Sequence, residues 1–316
     1  MIYEKIYSVY RNMVYNRADD NGCVFYFSAD DFEGLNAEPY TFNSTDGHEL
    51  KGAFYFYNGF DENRIVIFEH GMGSGHTGYM KEIEILARQG YKVFSYDHTG
   101  CMQSGSDTTG GFVQSLKDLN DALNSLKGDE KYKNLDFSVV GHSWGAFSTM
   151  NICALHPDIS HIVAMSGFIG VKEVLNQFLG PFAKKVYAEE EKANPGFIGF
   201  NAVNSLSQSK VKALIITSDD DRTINCKKHF DVLEKALAGQ KNITFLKVTG
   251  KNHNPNYTED AVKYKDVFFK EYTKVMKKKL LNTKEEKEKF KSSYDWNRMT
   301  AQDEKVWKII LEHLAK

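Results

Sequence analysis

Residues 136–150 read DFSVVGHSWGAFSTM, a short apolar run that passes directly into a helix-forming segment. The junction, GHSWG at residues 141–145, fits the pattern G-x-S-x-G. On such a strand-to-helix turn the serine hydroxyl is exposed, and side chains larger than glycine at the flanking positions would collide with nearby backbone. The stretch therefore predicts an exposed nucleophile, Ser143, at the end of a buried strand.

Short apolar runs alternate with helix-length amphipathic segments on both sides of this turn. The alternating segments span residues 64–90, 91–128, 136–156, 161–167, 211–239 and 242–280. Ahead of them, two β-prone runs flank Thr45-Asp46-Gly47, which is typical of an antiparallel hairpin. Because strands that alternate with helices form parallel sheets, we predict an α/β fold. Its mostly parallel central sheet would be flanked by helices, with the hairpin at the sheet edge.

One segment interrupts the alternation. Residues 168–208 are too long for an ordinary connection, and they are helical in composition as far as Asn194-Pro195-Gly196. We predict that they form a small helical cap, or lid, inserted into the fold. The core would then comprise residues 21–167 and 209–281.

The two ends of the chain lie outside this core. Apolar residues at helical spacing within residues 1–20 predict an N-terminal helix that packs on the body. Residues 282–316 are first highly charged and then amphipathic, which predicts a C-terminal helical extension. Thr300 and Asp303 have the spacing of a capping box ahead of its last helix. The extension could serve for packing or for self-association as a homodimer.

A serine nucleophile needs a base and an acid, and enzymes with this turn carry them in the chain order serine, acid, histidine. The apolar run ALIITSDDD, at residues 213–221, ends in three aspartates. Asp221 is predicted to be the acid because of its distance past the strand, with Asp219 as the alternative. The aspartates that are not used would cap the next helix or form a turn.

His253 follows the last predicted strand, in a loop rich in glycine, asparagine and proline. An imidazole in such a loop can reach across the top of the sheet, so we predict that His253 is the general base. None of the competing histidines meets both criteria, which are to follow the acid in the chain and to lie at the end of a late strand. We expect them to be structural or exposed: His70, His98, His142, His156, His161 and His229.

HGMG, at residues 70–73, comes directly after the apolar run RIVIFE. A glycine-rich turn there can aim a backbone N–H at the oxyanion that develops during acyl transfer. The N–H groups of Met72 and Trp144 are therefore predicted to form the oxyanion hole. The serine turn, acid and base also occur in the expected order, which strengthens each assignment.

Three stretches carry a resemblance to a known superfamily: HGMGSGHTGYM (70–80), YDHTGCMQSGS (96–106) and VVGHSWGAFSTM (139–150). Over about residues 40–275 the chain resembles the α/β-hydrolase superfamily. Within it, the chain is most similar to the monoacylglycerol lipase and serine-aminopeptidase-like, S33-type branch.

The resemblance implies an α/β-hydrolase fold with catalytic Ser143, Asp221 and His253. It also implies an oxyanion hole from Met72 and Trp144, and a variable cap that selects the acyl group. The usual residue after the nucleophile is small or methionine, whereas this chain has tryptophan there.

We hypothesise a serine hydrolase that cleaves carboxylic esters, as a carboxylesterase or a monoacylglycerol-lipase-like or lysophospholipase-like enzyme, without metal or organic cofactor. An aromatic cap suits a small-molecule ester with an apolar acyl or aryl group, although the same residues could equally pack the cap against the body. The aromatic residues concerned are Phe168, Phe178, Phe182, Tyr187 and Phe197.

Other functions fit the same residues. A peptidase or amidase would need a group for the substrate's amine, which Glu189-Glu190-Glu191 could provide, although such a run is usually a solvated helix face. An acyltransferase would use the same serine, acid and base. A noncatalytic binding protein on this fold is a further alternative, because fold does not determine function.

Composition narrows the partners and the compartment. The formal net charge of -2 gives no general attraction to nucleic acid or anionic lipid. No segment reaches the roughly 18 apolar residues of a membrane span, and the N-terminus does not resemble a secretory signal, so we expect a cytoplasmic protein without stable membrane insertion. The cysteines are widely spaced and are expected to be reduced thiols: Cys23, Cys101, Cys153 and Cys226.

Overall fold

A single sheet of eight strands forms the centre of the described residues 2–316 in the computed structural model. The strands are β1 (Asn36–Asn43), β2 (Glu49–Phe56), β3 (Arg64–Glu69), β4 (Lys92–Tyr96), β5 (Asp136–His142), β6 (His161–Met165), β7 (Lys212–Ser218) and β8 (Ile243–Val248). Their order is β1-β2-β4-β3-β5-β6-β7-β8. The pairs β1–β2 and β2–β4 are antiparallel, and the other neighbours are parallel. The predicted mostly parallel sheet is confirmed.

Helices connect the strands and cover the sheet. They are α1 (Ile2–Val14), α2 (Met80–Arg88), α3 (Gln114–Gly128), α4 (Trp144–Asn151), α5 (Val171–Leu179), α6 (Ala183–Ala193), α7 (Ala202–Ser207), α8 (Phe230–Ala236), α9 (Glu259–Lys277), α10 (Lys284–Ser292), α11 (Trp296–Met299) and α12 (Glu304–Leu314). Short 3-10 turns occur at Ala29–Asp31, His76–Tyr79, Ile152–Ala154, Gly180–Phe182 and Cys226–Lys228. Within residues 2–316, none of the helices combines the length and apolarity needed to cross a bilayer.

Both faces of the sheet are buried, which explains why the central strands are apolar throughout. In β3, Ile65 and Ile67 belong to one apolar core, and Val66 and Phe68 belong to the other. Successive side chains of a strand point to opposite faces, so a strand buried on both sides needs an unbroken apolar run. Helices α3 and α4 cover the first face, and α2 and α12 cover the second.

The hairpin predicted around Thr45-Asp46-Gly47 is confirmed. Asn43 pairs with Glu49, and the turn is closed by a hydrogen bond from the Gly47 N–H to the Ser44 carbonyl. Gly47 has a φ of 84°, a conformation that glycine adopts without steric cost. The hairpin places β1 at the edge of the sheet.

Helices α5, α6 and α7 lie in residues 168–208, the segment in which a cap was predicted. Of these, α7 is fastened to the body, because the Ser205 hydroxyl donates to Asn151 Oδ1 at the end of α4, at 2.8 Å. The Cys153 thiol also donates to the Ser205 carbonyl. Of the three helices, α5 lines the cavity described below, through Val174 and Phe178.

The N-terminal segment is joined to α6. The Tyr15 hydroxyl donates to Glu190 Oε1 at 2.5 Å, and the Lys185 ammonium lies 3.6 Å from the centroid of the Tyr3 ring. Just beyond α1, Arg17 donates to carbonyls of the loop after β4, including that of Ser106 at 2.7 Å. The predicted helix within residues 1–20 and the residues just after it thus contact both α6 and the loop after β4. Met1 lies outside the described residues.

Replacing Glu190 by glutamine should change how stability depends on pH. Burial raises the pKa of the Glu190 carboxyl, and the hydrogen bond from Tyr15 offsets only part of this effect. A carboxyl whose pKa is higher in the folded state contributes stability below its unfolded-state pKa, and this contribution is lost as pH rises through the folded-state value. We therefore expect wild type to lose stability relative to Glu190→Gln as pH rises above 4.5.

Urea-unfolding midpoints measured at acid and at neutral pH would test this effect. Glu191→Gln is a matched control, because Glu191 lies on the same helix and is exposed. The control should not change the pH dependence. An equal difference between wild type and Glu190→Gln at both pH values would contradict the expectation.

The C-terminal extension packs against the body, and its last helix begins differently from the prediction. Asp303 itself is the N-cap of α12, and its side chain accepts from the N–H groups of Lys305 and Val306. The predicted capping box, with Thr300 at its start, is wrong. Residues 296–299 already form α11, and the Thr300 hydroxyl bonds to the Trp296 carbonyl at the end of that helix.

Candidate active site

Ser143 lies at the turn between β5 and α4, with a φ of 56° and a ψ of -112°. A Cβ atom on Gly141 would lie 2.3 Å from the Thr149 hydroxyl, and one on Gly145 would lie 2.2 Å from the Glu69 carbonyl. Neither contact is sterically possible, which explains the two glycines of G-x-S-x-G. The turn leaves Ser143 partly exposed at the first turn of α4.

Ser143, His253 and Asp221 are joined in one chain of hydrogen bonds. Ser143 Oγ lies 2.8 Å from His253 Nε2, and His253 Nδ1 lies 2.8 Å from Asp221 Oδ2. Because a carboxylate only accepts, the proton of a neutral imidazole lies on Nδ1. Nε2 is then free to accept the serine proton, as a general base must.

The three aspartates after β7 have different partners. Asp221 is buried, and its Oδ1 also accepts from the N–H groups of Thr223 at 2.8 Å and Ile224 at 2.9 Å. Asp219 is exposed and accepts from the Thr249 hydroxyl at 2.9 Å. Asp220 accepts from the Ser218 hydroxyl and from the Asn252 N–H. The structure therefore brings Asp221 to His253, and it places the other two in turn contacts.

A second chain of hydrogen bonds runs beside the first through His142. Its Nε2 lies 2.7 Å from the His253 carbonyl, and its Nδ1 lies 2.9 Å from the Tyr79 hydroxyl. The Tyr79 hydroxyl in turn accepts from the Gly71 N–H at 3.1 Å. Burial lowers the pKa of His142 well below its ordinary value, so the ring is neutral. Nε2 then donates to the carbonyl, and Nδ1 accepts from Tyr79.

This second chain links the HGMG turn to the loop that carries His253. It was not found from the sequence, where His142 was expected to be structural or exposed. The signal that could have found it is position, because His142 directly precedes Ser143 at the end of β5. A buried neutral imidazole with one donor and one acceptor can hold two loops in register.

Met72 and Trp144, the residues predicted for the oxyanion hole, both line the cavity that contains Ser143. Trp144 is the first residue of α4, where a helix leaves its N–H groups without intrahelical partners. Its indole N–H donates to the Phe112 carbonyl at 2.6 Å, which fixes the large side chain in the core. The large side chain directly after Ser143 is thus accommodated in the core.

A cavity of about 670 Å³ opens at Ser143. Its walls are mainly apolar and include residues of α1, the cap, α9 and α11: Met13, Val174, Phe178, Val262, Phe268 and Trp296. Of the cap aromatics singled out in the sequence, Phe168 and Phe178 line the cavity. Tyr187 and Phe197 instead pack against the main core. Some of these aromatic residues therefore line the cavity, and others pack against the body.

The acidic run Glu189-Glu190-Glu191 lies away from the cavity lining. Glu190 is buried against Tyr15, and Glu189 pairs with Lys192 at 3.2 Å. Sequence reasoning missed the wall formed by α9. Val262, Phe269 and Tyr272 recur there at helical spacing, which is the signal that could have revealed an apolar face.

Comparisons with known proteins agree with this architecture. An esterase from Pyrococcus furiosus superposes with a TM-score of 0.60 at 21% identity, covering 89% of this chain and 98% of its own. An acylaminoacyl peptidase from Pyrococcus horikoshii superposes with a TM-score of 0.53 at 15% identity, covering 70% of this chain and 38% of its own. Residues 61–196 match the family described as serine aminopeptidase, S33. The chain has the α/β-hydrolase fold.

Two curated proteins are similar to part of this chain. The uncharacterized protein YqkD of Bacillus subtilis (strain 168) is 27% identical over 143 residues, which is 45% of each chain. The lipid droplet-associated hydrolase of Dictyostelium discoideum is 21% identical over 162 residues, or 50% of this chain and 53% of its own. The matched part spans about half the length of these relatives. The fold, and the match of residues 61–196 to the S33 family, agree with the resemblance drawn from the sequence.

Proposed function

We propose that this α/β-hydrolase is a serine hydrolase that cleaves carboxylic esters through an acyl-enzyme on Ser143. The observation that carries the proposal is the unbroken hydrogen-bond chain from Ser143 through His253 to Asp221, with 2.8 Å at each step, at a largely apolar cavity. A serine hydroxyl, an imidazole of defined tautomer and a buried carboxylate are the groups that acyl transfer needs.

In the proposed reaction, His253 Nε2 takes the Ser143 proton as Oγ attacks the ester carbonyl carbon. The N–H groups of Met72 and Trp144 stabilise the resulting oxyanion. The imidazolium then gives its proton to the departing alkoxide, and the acyl group remains on Oγ. Water attacks this acyl-enzyme with the same imidazole as base, which releases the acid and restores Ser143.

Apolar walls favour a substrate with an apolar acyl or aryl group. Phe168 and Phe178 from the cap side face a further aromatic wall that includes Phe268. Sites for such ligands are typically cavities of 300–1,000 Å³ with a few polar groups, and about 670 Å³ lies in this range. The name of one similar protein, the esterase from Pyrococcus furiosus, is in line with ester substrates.

A peptidase or amidase is the second candidate, since the matching family is described as serine aminopeptidase and one structural relative is an acylaminoacyl peptidase. The group suggested for an amine, Glu189-Glu190-Glu191, does not line the cavity. Burial of Glu190 against Tyr15 further removes it from substrate. We therefore favour esters over peptides.

Matched 4-nitrophenyl esters and 4-nitroanilides, with acyl groups from acetyl to dodecanoyl, would test the proposal. We expect ester turnover with an optimum at an intermediate chain length, and anilide turnover slower by several orders of magnitude. Comparable kcat/KM values for both series would favour the amidase. No turnover of any ester, together with no covalent labelling by a fluorophosphonate, would favour the noncatalytic alternative. Product that appears only with an added alcohol acceptor would indicate an acyltransferase.

A further inference from the structure

Lys265 brings a positive charge into the mainly apolar cavity, whose lining also includes the carboxylates of Asp19 and Asp266. It lies on α9, between the cavity-lining residues Val262 and Phe268. Among residues 2–316, it is the only lysine or arginine that lines the cavity. Its Nζ donates to Asn254 Oδ1 at 3.1 Å, and Asn254 directly follows the proposed base. The ammonium therefore contacts the loop that carries His253.

The protein leaves this ammonium without a close counterion. Nζ has three N–H donors, and within residues 2–316 its hydrogen-bond acceptor is Asn254, with the Tyr257 ring centroid 4.9 Å away. Glu82 and Asp266 act on it electrostatically without forming an ion pair. Burial raises the pKa of Glu82, which favours its neutral form and weakens it as a counterion.

A half-buried ammonium without an anion is unfavourable, because it loses part of its hydration and gains little in return. Burial accordingly lowers the pKa of Lys265. Lys270, on the same helix, does not lose hydration in this way, because its side chain is exposed to solvent. A substrate group that supplies negative charge would occupy the open donors and complete the site.

We infer that Lys265 binds an anionic group of the ester substrate, a carboxylate or a phosphate. This inference rests on the proposed ester hydrolysis and names the substrate class more closely: an amphipathic ester with an apolar part along the aromatic walls and a negative charge near the base loop. Lys265 acts by binding and takes no part in proton transfer.

Two matched substrate pairs distinguish the source of the charge. Monomethyl and dimethyl suberate differ in a carboxylate on the acyl part. 1-Octanoylglycerol 3-phosphate and 1-octanoylglycerol differ in a phosphate on the alcohol part. Hydrolysis of all four is followed by pH-stat titration, in wild type and in Lys265→Met, Lys265→Arg and the exposed control Lys270→Met.

In wild type we expect a preference for the anionic member of one pair. Lys265→Met removes a charged hydrogen bond to the anionic group. We therefore expect the ratio of kcat/KM for the anionic ester to kcat/KM for the neutral ester to fall roughly 10- to 100-fold in this variant, mainly through KM. Lys265→Arg should keep most of the preference, and Lys270→Met should keep all of it. Added salt should lower the wild-type ratio. The pair that responds identifies the carboxylate or the phosphate.

Equal ratios in wild type and Lys265→Met for both pairs would overturn the inference while leaving ester hydrolysis intact. Failure of wild type to hydrolyse any of the four esters would instead count against the proposed function, and the inference would fall with it. Should Lys265→Met not fold, as judged by circular dichroism, Lys265→Gln and the salt dependence of the wild-type ratio give the same comparison.

Discussion

Replacing Ser143 by alanine should lower kcat/KM for esters by on the order of 10⁶-fold and abolish labelling by a fluorophosphonate. The expected loss is this large because the substitution removes the only atom that can form the acyl-enzyme in the proposed mechanism. His253 and the oxyanion-hole N–H groups cannot replace a missing nucleophile. Ester turnover and in-gel fluorescence of the labelled protein measure the two effects.

Ser166→Ala provides a matched control. Ser166 follows the neighbouring strand β6, has a φ of 53°, and its buried hydroxyl has no hydrogen-bond partner within residues 2–316. The variant should be labelled and should turn over ester like wild type. Labelling that persists in Ser143→Ala would show that another residue reacts, and the nucleophile would have to be reassigned.

Replacing Asp221 by asparagine should lower kcat by about 10⁴-fold. The carboxylate accepts from His253 Nδ1, and this holds the proton away from Nε2. An amide that donates to Nδ1 would favour the opposite tautomer, in which Nε2 carries the proton and cannot accept one from Ser143. The measurement is kcat for a 4-nitrophenyl ester, with the circular dichroism spectrum as a check on folding.

Asp219→Asn is the comparison that decides between the two aspartates. Asp219 is exposed, and its carboxylate accepts a hydrogen bond from the Thr249 hydroxyl. The His253 imidazole bonds to Asp221 instead. We expect its kcat to stay within a few-fold of wild type. If Asp219→Asn were the more damaging substitution, the acid role would pass to Asp219.

The sequence was most informative where function depends on local geometry. G-x-S-x-G could be recognised because Gly141 and Gly145 are required by contacts within the turn itself and with the adjacent strand. Apolar runs could be assigned to strands because both faces of the sheet are buried. The preference for Asp221 over Asp219 rested on spacing past β7, and the structure brings Asp221 to His253.

The cavity walls could not be predicted, because they depend on contacts between distant parts of the chain. Met13 of α1 and Lys265 of α9 line the same cavity as Ser143, yet they are far apart in sequence. An amphipathic pattern shows that a helix has an apolar face and does not show what that face contacts. The partners of His142 were hidden for the same reason, since Tyr79 precedes it by 63 residues.

The loop that carries His253 is braced by the end of the chain. Lys251 Nζ bonds to Asp303 Oδ2 at 2.6 Å, and the Asp303 N–H donates to the Asn256 carbonyl at 2.8 Å. A nascent chain on the ribosome would contain Ser143, Asp221 and His253 well before Asp303 emerged. We therefore expect the proposed activity to be acquired late in synthesis, once α12 has docked. A protease that cuts just ahead of Asp303 should abolish that activity without altering Ser143, Asp221 or His253.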